Sequence, residues 1–454
     1  MPAHRNVLDM IGDTPMVEIK RLDAGPCRLF VKLENQNPGG SIKDRIGLSM
    51  IEAAEADGKL APGGTIVEAT AGNTGLGLAL VASQKGYRLI LVIPDKMSQE
   101  KIFHLKAFGA EVRTTRSDVG KGHPEYYQDV AARLARETGA FYVNQFENPA
   151  NPDAHEATTG PEIWAQMDGD LDAVVCGVGS GGTITGLSRY FGRVAPDMEM
   201  VLADPEGSVL AGYIATGEVG EAGSWLVEGI GEDFVPPVCD LSRVSEVITI
   251  GDAEAFATAG ELLRAEGILA GSSTGTMLAA ALRYCRAQAE PKRVVTFVCD
   301  SGDKYLSKMY NEYWMIDQGF IERESHGDLR DLIARRHLEH EDITVARDDT
   351  LLTAYRRMKL ADVSQLPVVD DGQVIGIVDE SDILFAVYDR QDRFADPVQK
   401  SMTKRLETVA PSEPIAALLP IFDKGCVALV RDRDEYLGLI ARIDLLNHLR
   451  RRMK

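Results

Sequence analysis

The run Ala173-Val174-Val175-Cys176-Gly177-Val178-Gly179-Ser180-Gly181-Gly182-Thr183 decides how this chain is read. Four apolar residues rich in valine suit a strand buried on both faces of a parallel sheet, and the glycines after them mark a turn into a helix. Backbone without side chains lets a phosphate approach the N–H groups at such a helix start, and Ser180 and Thr183 add hydroxyl donors. The run also satisfies G-x-G-x-x-G, and Asp204 closes the next apolar stretch, so a dinucleotide is an equally local reading.

Working outward, apolar runs of the same kind recur at Leu29 to Leu33, Leu89 to Ile93, Met200 to Ala203 and Val294 to Val298, separated by amphipathic stretches. That alternation predicts a doubly wound α/β unit over residues 1–320. A charge-dense stretch from Asp317 to Asp331 has little to bury and is expected to be a linker or an exposed helix, with the linker proper at 321–335. Beyond it the chain repeats itself. Leu366 to Val369 with Gly376 to Leu384 is echoed by Val427 to Val430 with Gly438 to Leu446, which predicts two small α/β modules at 336–395 and 396–454 packed on each other.

With 454 residues, 44% apolar and 26% charged, the chain is a globular protein of more than one domain. Its net charge of -20 argues against a nucleic acid partner, which needs a basic surface. No apolar run is long enough to span a bilayer, and Met1 to Met10 carries no apolar leader, so a cytoplasmic location is expected with no membrane partner. Six scattered cysteines form no C-x-x-C pair, so no metal site is expected.

Three further segments carry chemistry. In Asn37-Pro38-Gly39-Gly40-Ser41-Ile42-Lys43-Asp44-Arg45, a lysine sits just inside a helix start, where the dipole favours its neutral, nucleophilic form; alone, this pattern also fits a surface lysine. In Glu68-Ala69-Thr70-Ala71-Gly72-Asn73-Thr74-Gly75, small residues at a helix start make a nest for an anion such as an α-carboxylate. In Cys299-Asp300-Ser301-Gly302, a serine at a strand end is placed either to meet a pyridine nitrogen or to cap a helix.

Together, Gly-Gly-Ser-Ile-Lys-Asp-Arg, Thr-Ala-Gly-Asn-Thr-Gly, Gly-Ser-Gly-Gly-Thr and Asp-Ser-Gly resemble the cysteine synthase and cystathionine β-synthase group of pyridoxal phosphate (PLP) enzymes, in order and spacing. The resemblance implies fold type II, doubly wound parallel sheets in two subdomains, with Lys43 as the Schiff-base lysine and catalytic base. It implies Asn73 at the ring hydroxyl, Gly179, Ser180, Gly181, Gly182 and Thr183 at the phosphate, and Ser301 at the ring nitrogen. Thr70, Ala71, Gly72, Asn73, Thr74, Gln145 and Gly229 would bind the substrate. A neutral serine at the ring nitrogen weakens the cofactor as an electron sink and favours expelling a β-substituent.

The runs Asp95 to Lys101, Glu228 to Phe234 and Asn151 to His155, with the repeated modules, favour serine plus homocysteine as substrates, with hydrogen sulfide release from cysteine as a side reaction. O-acetylserine plus sulfide is the alternative within the group. A dinucleotide oxidoreductase and a non-catalytic nucleotide sensor are the rivals outside it. No haem is expected, because the family pattern begins almost at the first residue. The C-terminal repeat resembles tandem CBS modules, in which Asp382 and Asp444 match the ribose-gripping aspartates. Asp379 and Ala441 stand where a hydroxyl residue is usual, so an adenosyl ligand and a purely structural role both stay open. A homodimer or larger assembly is expected.

Overall fold

The computed structural model describes residues 3–70, 72–95, 97–120, 122–339 and 342–451. The chain divides into two compact units between Asn311 and Glu312.

In the first unit the strands are β1 (Met16–Glu18), β2 (Arg28–Lys32), β3 (Thr65–Ala69), β4 (Arg88–Pro94), β5 (Glu111–Thr115), β6 (Phe141–Tyr142), β7 (Ala173–Cys176), β8 (Glu199–Pro205), β9 (Val244–Ile250) and β10 (Arg293–Phe297). They form a six-stranded sheet in the order β1-β2-β10-β7-β8-β9 and a four-stranded sheet in the order β5-β4-β3-β6. Every pairing is parallel except that of β1, an antiparallel edge. Burial explains the arrangement: all four residues of β7 are buried, as are six of the seven in β4, so both faces of these strands need covering by helices. The smaller sheet is one continuous insertion into the larger, because β3 to β6 lie between β2 and β7 in the chain.

Three helices position the site: α1 (Lys43–Ala56), α2 (Asn73–Lys85) and α3 (Gln99–Ala107). The first two pack closely, and a Cβ on Gly47 would lie 2.8 Å from the Gly77 carbonyl carbon, so two glycines permit their contact.

The second unit holds two three-stranded sheets. One comprises β11 (Val345–Ala346), β12 (Gln365–Asp370) and β13 (Gln373–Asp379); the other comprises β14 (Thr408–Val409), β15 (Ala428–Asp432) and β16 (Glu435–Ile440). The duplication extends to backbone irregularity. The bulge between Val368 and Val369 with Val368 opposite Gly376 recurs between Val430 and Arg431 with Val430 opposite Gly438. Val374, Ile377, Leu429 and Tyr436 join the two copies in one apolar cluster. The stretch expected to be a linker differs from that reading. Leu329, with Leu332 and Ile333 just beyond it, is buried in the core of the second copy, and the Glu312–Gln318 helix belongs to this unit. The charges of Asp317 to Asp331 hide these few apolar anchors. Among the described residues, no helix is long and apolar enough to cross a membrane.

Candidate active site

Lys43 opens α1, and its N–H donates to Ser41 Oγ at 3.3 Å. The segment before it is stitched to the end of β10: the Ile42 N–H donates to the Cys299 carbonyl at 2.9 Å, Ser41 bridges Asp300, and the Ser301 N–H reaches the Gly40 carbonyl at 3.4 Å. The positive φ of Gly40 (77°) makes this turn, while the Asp44 carboxylate accepts the Gly39 N–H. Two of the four sequence motifs, far apart in the chain, therefore share one strand end.

The Lys43 side chain keeps partial access to solvent although protein surrounds it closely. Burial lowers its proton affinity below the lysine range, and the charges of Glu232 and Asp300 pull the other way. Burial pushes the Cys299 thiol up to about 12, so at neutral pH it stays protonated beside the amine.

His155 contacts the glycine loop. Its ring is fully buried, with Nδ1 2.9 Å from Thr159 Oγ1 and Nε2 3.2 Å from Thr183 Oγ1. Burial, then the nearby charge of Lys43, holds its pKa well below the usual imidazole value, so it is a neutral partner. The sequence placed His155 only in a family-like run; its helical context has no periodicity that marks a functional ring.

The glycine loop leads into the Gly182–Val194 helix, whose first N–H groups have no partner within the helix. Gly181 adopts φ +85°. A Cβ on Gly179 would lie 2.4 Å from the Gly229 carbonyl oxygen, and one on Gly182 would lie 1.8 Å from Asn151 Oδ1. Only glycine fits here, and the result is a narrow ring of backbone donors suited to a phosphate. Asn151 Nδ2 also donates to Ser180 Oγ at 2.9 Å and to the Gln145 carbonyl at 2.8 Å, joining this loop to the next.

At the third motif Gly72 precedes α2 with φ +130°, and its N–H donates to Thr70 Oγ1 at 3.1 Å. Thr74 Oγ1 donates to Gln145 Oε1 at 2.7 Å, which brings the two sequence-chosen parts of the substrate loop together. Glu68, fully buried on β3, accepts the N–H groups of Asn144 (2.8 Å) and Gln145 (3.2 Å) and so sets the position of Gln145. Ala71 lies outside the described residues.

Other chosen residues sit differently. Asn73 Nδ2 donates to Asp300 Oδ2 at 2.7 Å and Asn73 Oδ1 accepts from Lys304 Nζ at 3.1 Å. Ser301 Oγ donates to Asp303 Oδ2 at 2.8 Å and accepts the Asp303 N–H, the helix-capping arrangement. Gly229 faces the glycine loop through its carbonyl. Asp204, the residue that kept a dinucleotide in view, is buried and accepts the Ala211 N–H at 2.9 Å. In the second unit Asp382 and Asp444 stand in the first turns of their helices and accept the N–H groups of Asp379 (3.1 Å) and Ala441 (2.6 Å). Asp379 and Asp382 form a reciprocal capping box, a local role that the sequence analysis missed for Asp379.

Sequence reasoning also missed an ionic cluster behind these loops. Arg45 on α1 forks to both oxygens of Glu34 (2.8 Å each) and both of Glu162 (2.6 and 2.7 Å), and Lys32 reaches Glu162 at 2.9 Å.

A half-buried lysine at a helix start and a glycine-only anion cradle, on largely parallel sheets, suit a PLP-dependent enzyme. Residues 7–300 match the family model described as pyridoxal-phosphate dependent enzyme, and residues 330–389 and 398–451 match the CBS domain. A cystathionine β-synthase of Oryctolagus cuniculus is 37% identical over 470 residues, covering 97% of this chain and 84% of that protein. A cysteine synthase of Staphylococcus aureus is 43% identical over 306 residues, covering 66% of this chain and 95% of its own. The crystal structure of O-ureido-L-serine synthase superposes with a TM-score of 0.64 at 34% identity, over 72% of this chain and 98% of that one. The chain belongs to the cystathionine β-synthase family and is a PLP-dependent lyase with tandem CBS domains. The family match sets aside the oxidoreductase and sensor readings of the glycine loop and the C-terminal repeat.

Proposed function

We propose that the first unit condenses L-serine with L-homocysteine, releasing water and forming L-cystathionine. The observation that carries this is the glycine-only cradle at Gly179, Gly181 and Gly182, together with a Lys43 amine whose proton affinity burial lowers. Its support from comparison is that the cystathionine β-synthase relative spans both units, whereas the cysteine synthase relative spans only the first.

In this reading Lys43 holds the cofactor covalently, and Gly179, Ser180, Gly181, Gly182 and Thr183 receive its phosphate. Asn73 would serve the ring hydroxyl, and Ser301, bonded to Asp303 through its hydroxyl, would serve the ring nitrogen. When bound, PLP withdraws electrons from the substrate's α-carbon. The protein's share is positional and protic. The loop Thr70, Ala71, Gly72, Asn73 and Thr74, with Gln145 and Gly229, orients serine by its carboxylate. Lys43 Nζ would take the serine α-proton and deliver it to the departing β-hydroxyl, which would leave as water. The thiol sulfur then bonds to the β-carbon and its proton returns to the α-carbon through Nζ. Burial lowers the proton affinity of Nζ, which favours its release of the proton to the leaving hydroxyl.

In the second unit Asp382 and Asp444 are proposed to face an adenosyl ligand, each oriented by the backbone N–H it holds. The six cysteines are free thiols, in keeping with a cytoplasmic enzyme, and a homodimer or larger assembly is proposed.

The test offers serine with homocysteine and, separately, O-acetylserine with sulfide. Wild-type protein should be yellow and prefer the first pair, and Lys43→Ala should lose at least about a thousandfold in turnover. Preference for the second pair would reassign the substrates. Adding S-adenosylmethionine or AMP should raise the rate, and equal rates would leave the second unit a structural role.

A further inference from the structure

We propose that Lys101 is a positioning residue: its buried bridge to Glu228 and Tyr305 clasps the Thr70–Thr74 loop in the shape that receives the substrate carboxylate. The inference rests on the reading of that loop as the substrate site and names what holds it there.

Lys101 belongs to α3, on the smaller-sheet side, and its side chain is 2% exposed. Nζ donates to Glu228 Oε2 at 2.7 Å and to the Tyr305 hydroxyl at 2.9 Å, and it lies 4.4 Å from the centre of the Tyr305 ring. Glu228 precedes Gly229, and Tyr305 closes the short helix that Ser301 caps. One ammonium group therefore ties α3 to two loops of the larger-sheet side. The neighbouring residue repeats the tie, since the Ser307 N–H donates to Glu100 Oε1 at 3.0 Å.

The stem of Lys101 meets the loop itself. A Cβ on Gly72 would lie 2.7 Å from Lys101 Cδ, so the lysine methylenes form the wall against which the Gly72 backbone rests. Tyr305 carries the connection on, donating to Asp300 Oδ2 at 2.7 Å, the oxygen that also receives Asn73 Nδ2. The loop is thus gripped at Gly72 by the stem and at Asn73 through the tyrosine and aspartate. A lysine taken fully out of water to reach a carboxylate is costly unless its geometry is used, and here the bonds converge on the loop that must hold an anion.

Lys101→Met keeps an unbranched stem against Gly72 and removes the charge. Glu228 keeps Lys308, 2.7 Å away, and Tyr305 keeps Asp300, so neither group is stranded. Steady-state kinetics with serine and homocysteine should show KM for serine raised by about tenfold or more with kcat within about twofold, and an unchanged cofactor absorbance. Glu228→Gln should raise KM in the same direction, and the double variant should be no worse than Lys101→Met within about twofold, because one clasp is broken only once. Thr74→Val, which alters the loop directly, serves as the control and should also raise KM. If Thr74→Val raises KM and Lys101→Met does not, the clasp is refuted and the substrate loop stands. If Thr74→Val leaves KM unchanged, the loop reading itself falls and takes the clasp with it. A loss in kcat equal to or larger than the change in KM also refutes the positioning role.

Discussion

Replacing Arg45 by methionine removes the cation that serves two carboxylates at once. Arg45 and Glu34 are both essentially out of water, and Glu162 is 13% exposed at its side chain. Burial pushes the Glu162 carboxyl up, but the hydrogen bonds and charge of Arg45, then of Lys32, outweigh it and hold its pKa at about 2. Against an ordinary value of 4.5, that is about 2–3 kcal/mol after allowance for partial solvent access. Glu34 would fare worse than Glu162, which keeps Lys32, because it would retain only Thr14 and Asn37 as donors. We expect Arg45→Met to cost the first unit about 3–5 kcal/mol, the range for breaking a buried pair from one side. Urea unfolding followed by tryptophan fluorescence measures it, since Trp164 lies on the Gly160–Gln166 helix that carries Glu162. The pH dependence has a definite sign. A carboxyl with a depressed folded pKa adds stability that is complete above about 4.5 and lost as pH falls toward about 2, and the variant should lack that share of the acid sensitivity. A loss below about 1 kcal/mol would refute the reasoning, as it would mean that the cluster contributes no more than surface pairs do.

Other consequences are as specific. Gly182→Ala forces a methyl onto Asn151 Oδ1 and should release the cofactor, read as loss of the visible absorbance with the far-ultraviolet circular dichroism retained. A Cβ on Gly275 would lie 2.0 Å from the Ala255 carbonyl oxygen, so Gly275→Ala should cost about 2 kcal/mol or more by urea unfolding. Burial, partly opposed by the Ala441 N–H, raises the Asp444 carboxyl to about 6. The second unit should then lose about 2 kcal/mol as pH rises from about 4 to 6, and Asp444→Asn should flatten that slope in unfolding curves taken across the range.

The fold was legible where burial is two-sided. Ala173 to Cys176 and Leu89 to Ile93 are continuous apolar runs, and Val294 to Val298 is broken only by Thr296, because helices cover both faces; β7, β4 and β10 lie there. Edge elements were not: β5 exposes Arg113 and Thr114, and six of the seven residues of β9 are exposed or half-buried, so neither shows a run or a clean alternation. At the site, glycines and the lysine are readable because backbone shape and nucleophilicity are properties of single residues. The ionic partners are not. Glu34, Arg45 and Glu162 meet only after folding, and Lys101 with Glu228 and Tyr305 likewise, so no local period announces them. Ser301 shows the remaining ambiguity, since one hydroxyl at a strand end serves equally as a cap and as a ligand, and the fold uses it as a cap.

Because the four-stranded sheet is a single excursion from the larger one, only two lengths of backbone tether it: one leaving α1 before Thr65, the other returning after Tyr142. An opening of the smaller sheet away from the larger would have to bend at those two crossings and break ties across the seam such as that of Lys101 to Glu228. The enzyme's breathing is thereby reduced to a pair of joints, which spectroscopic labels on either side of each could follow one at a time.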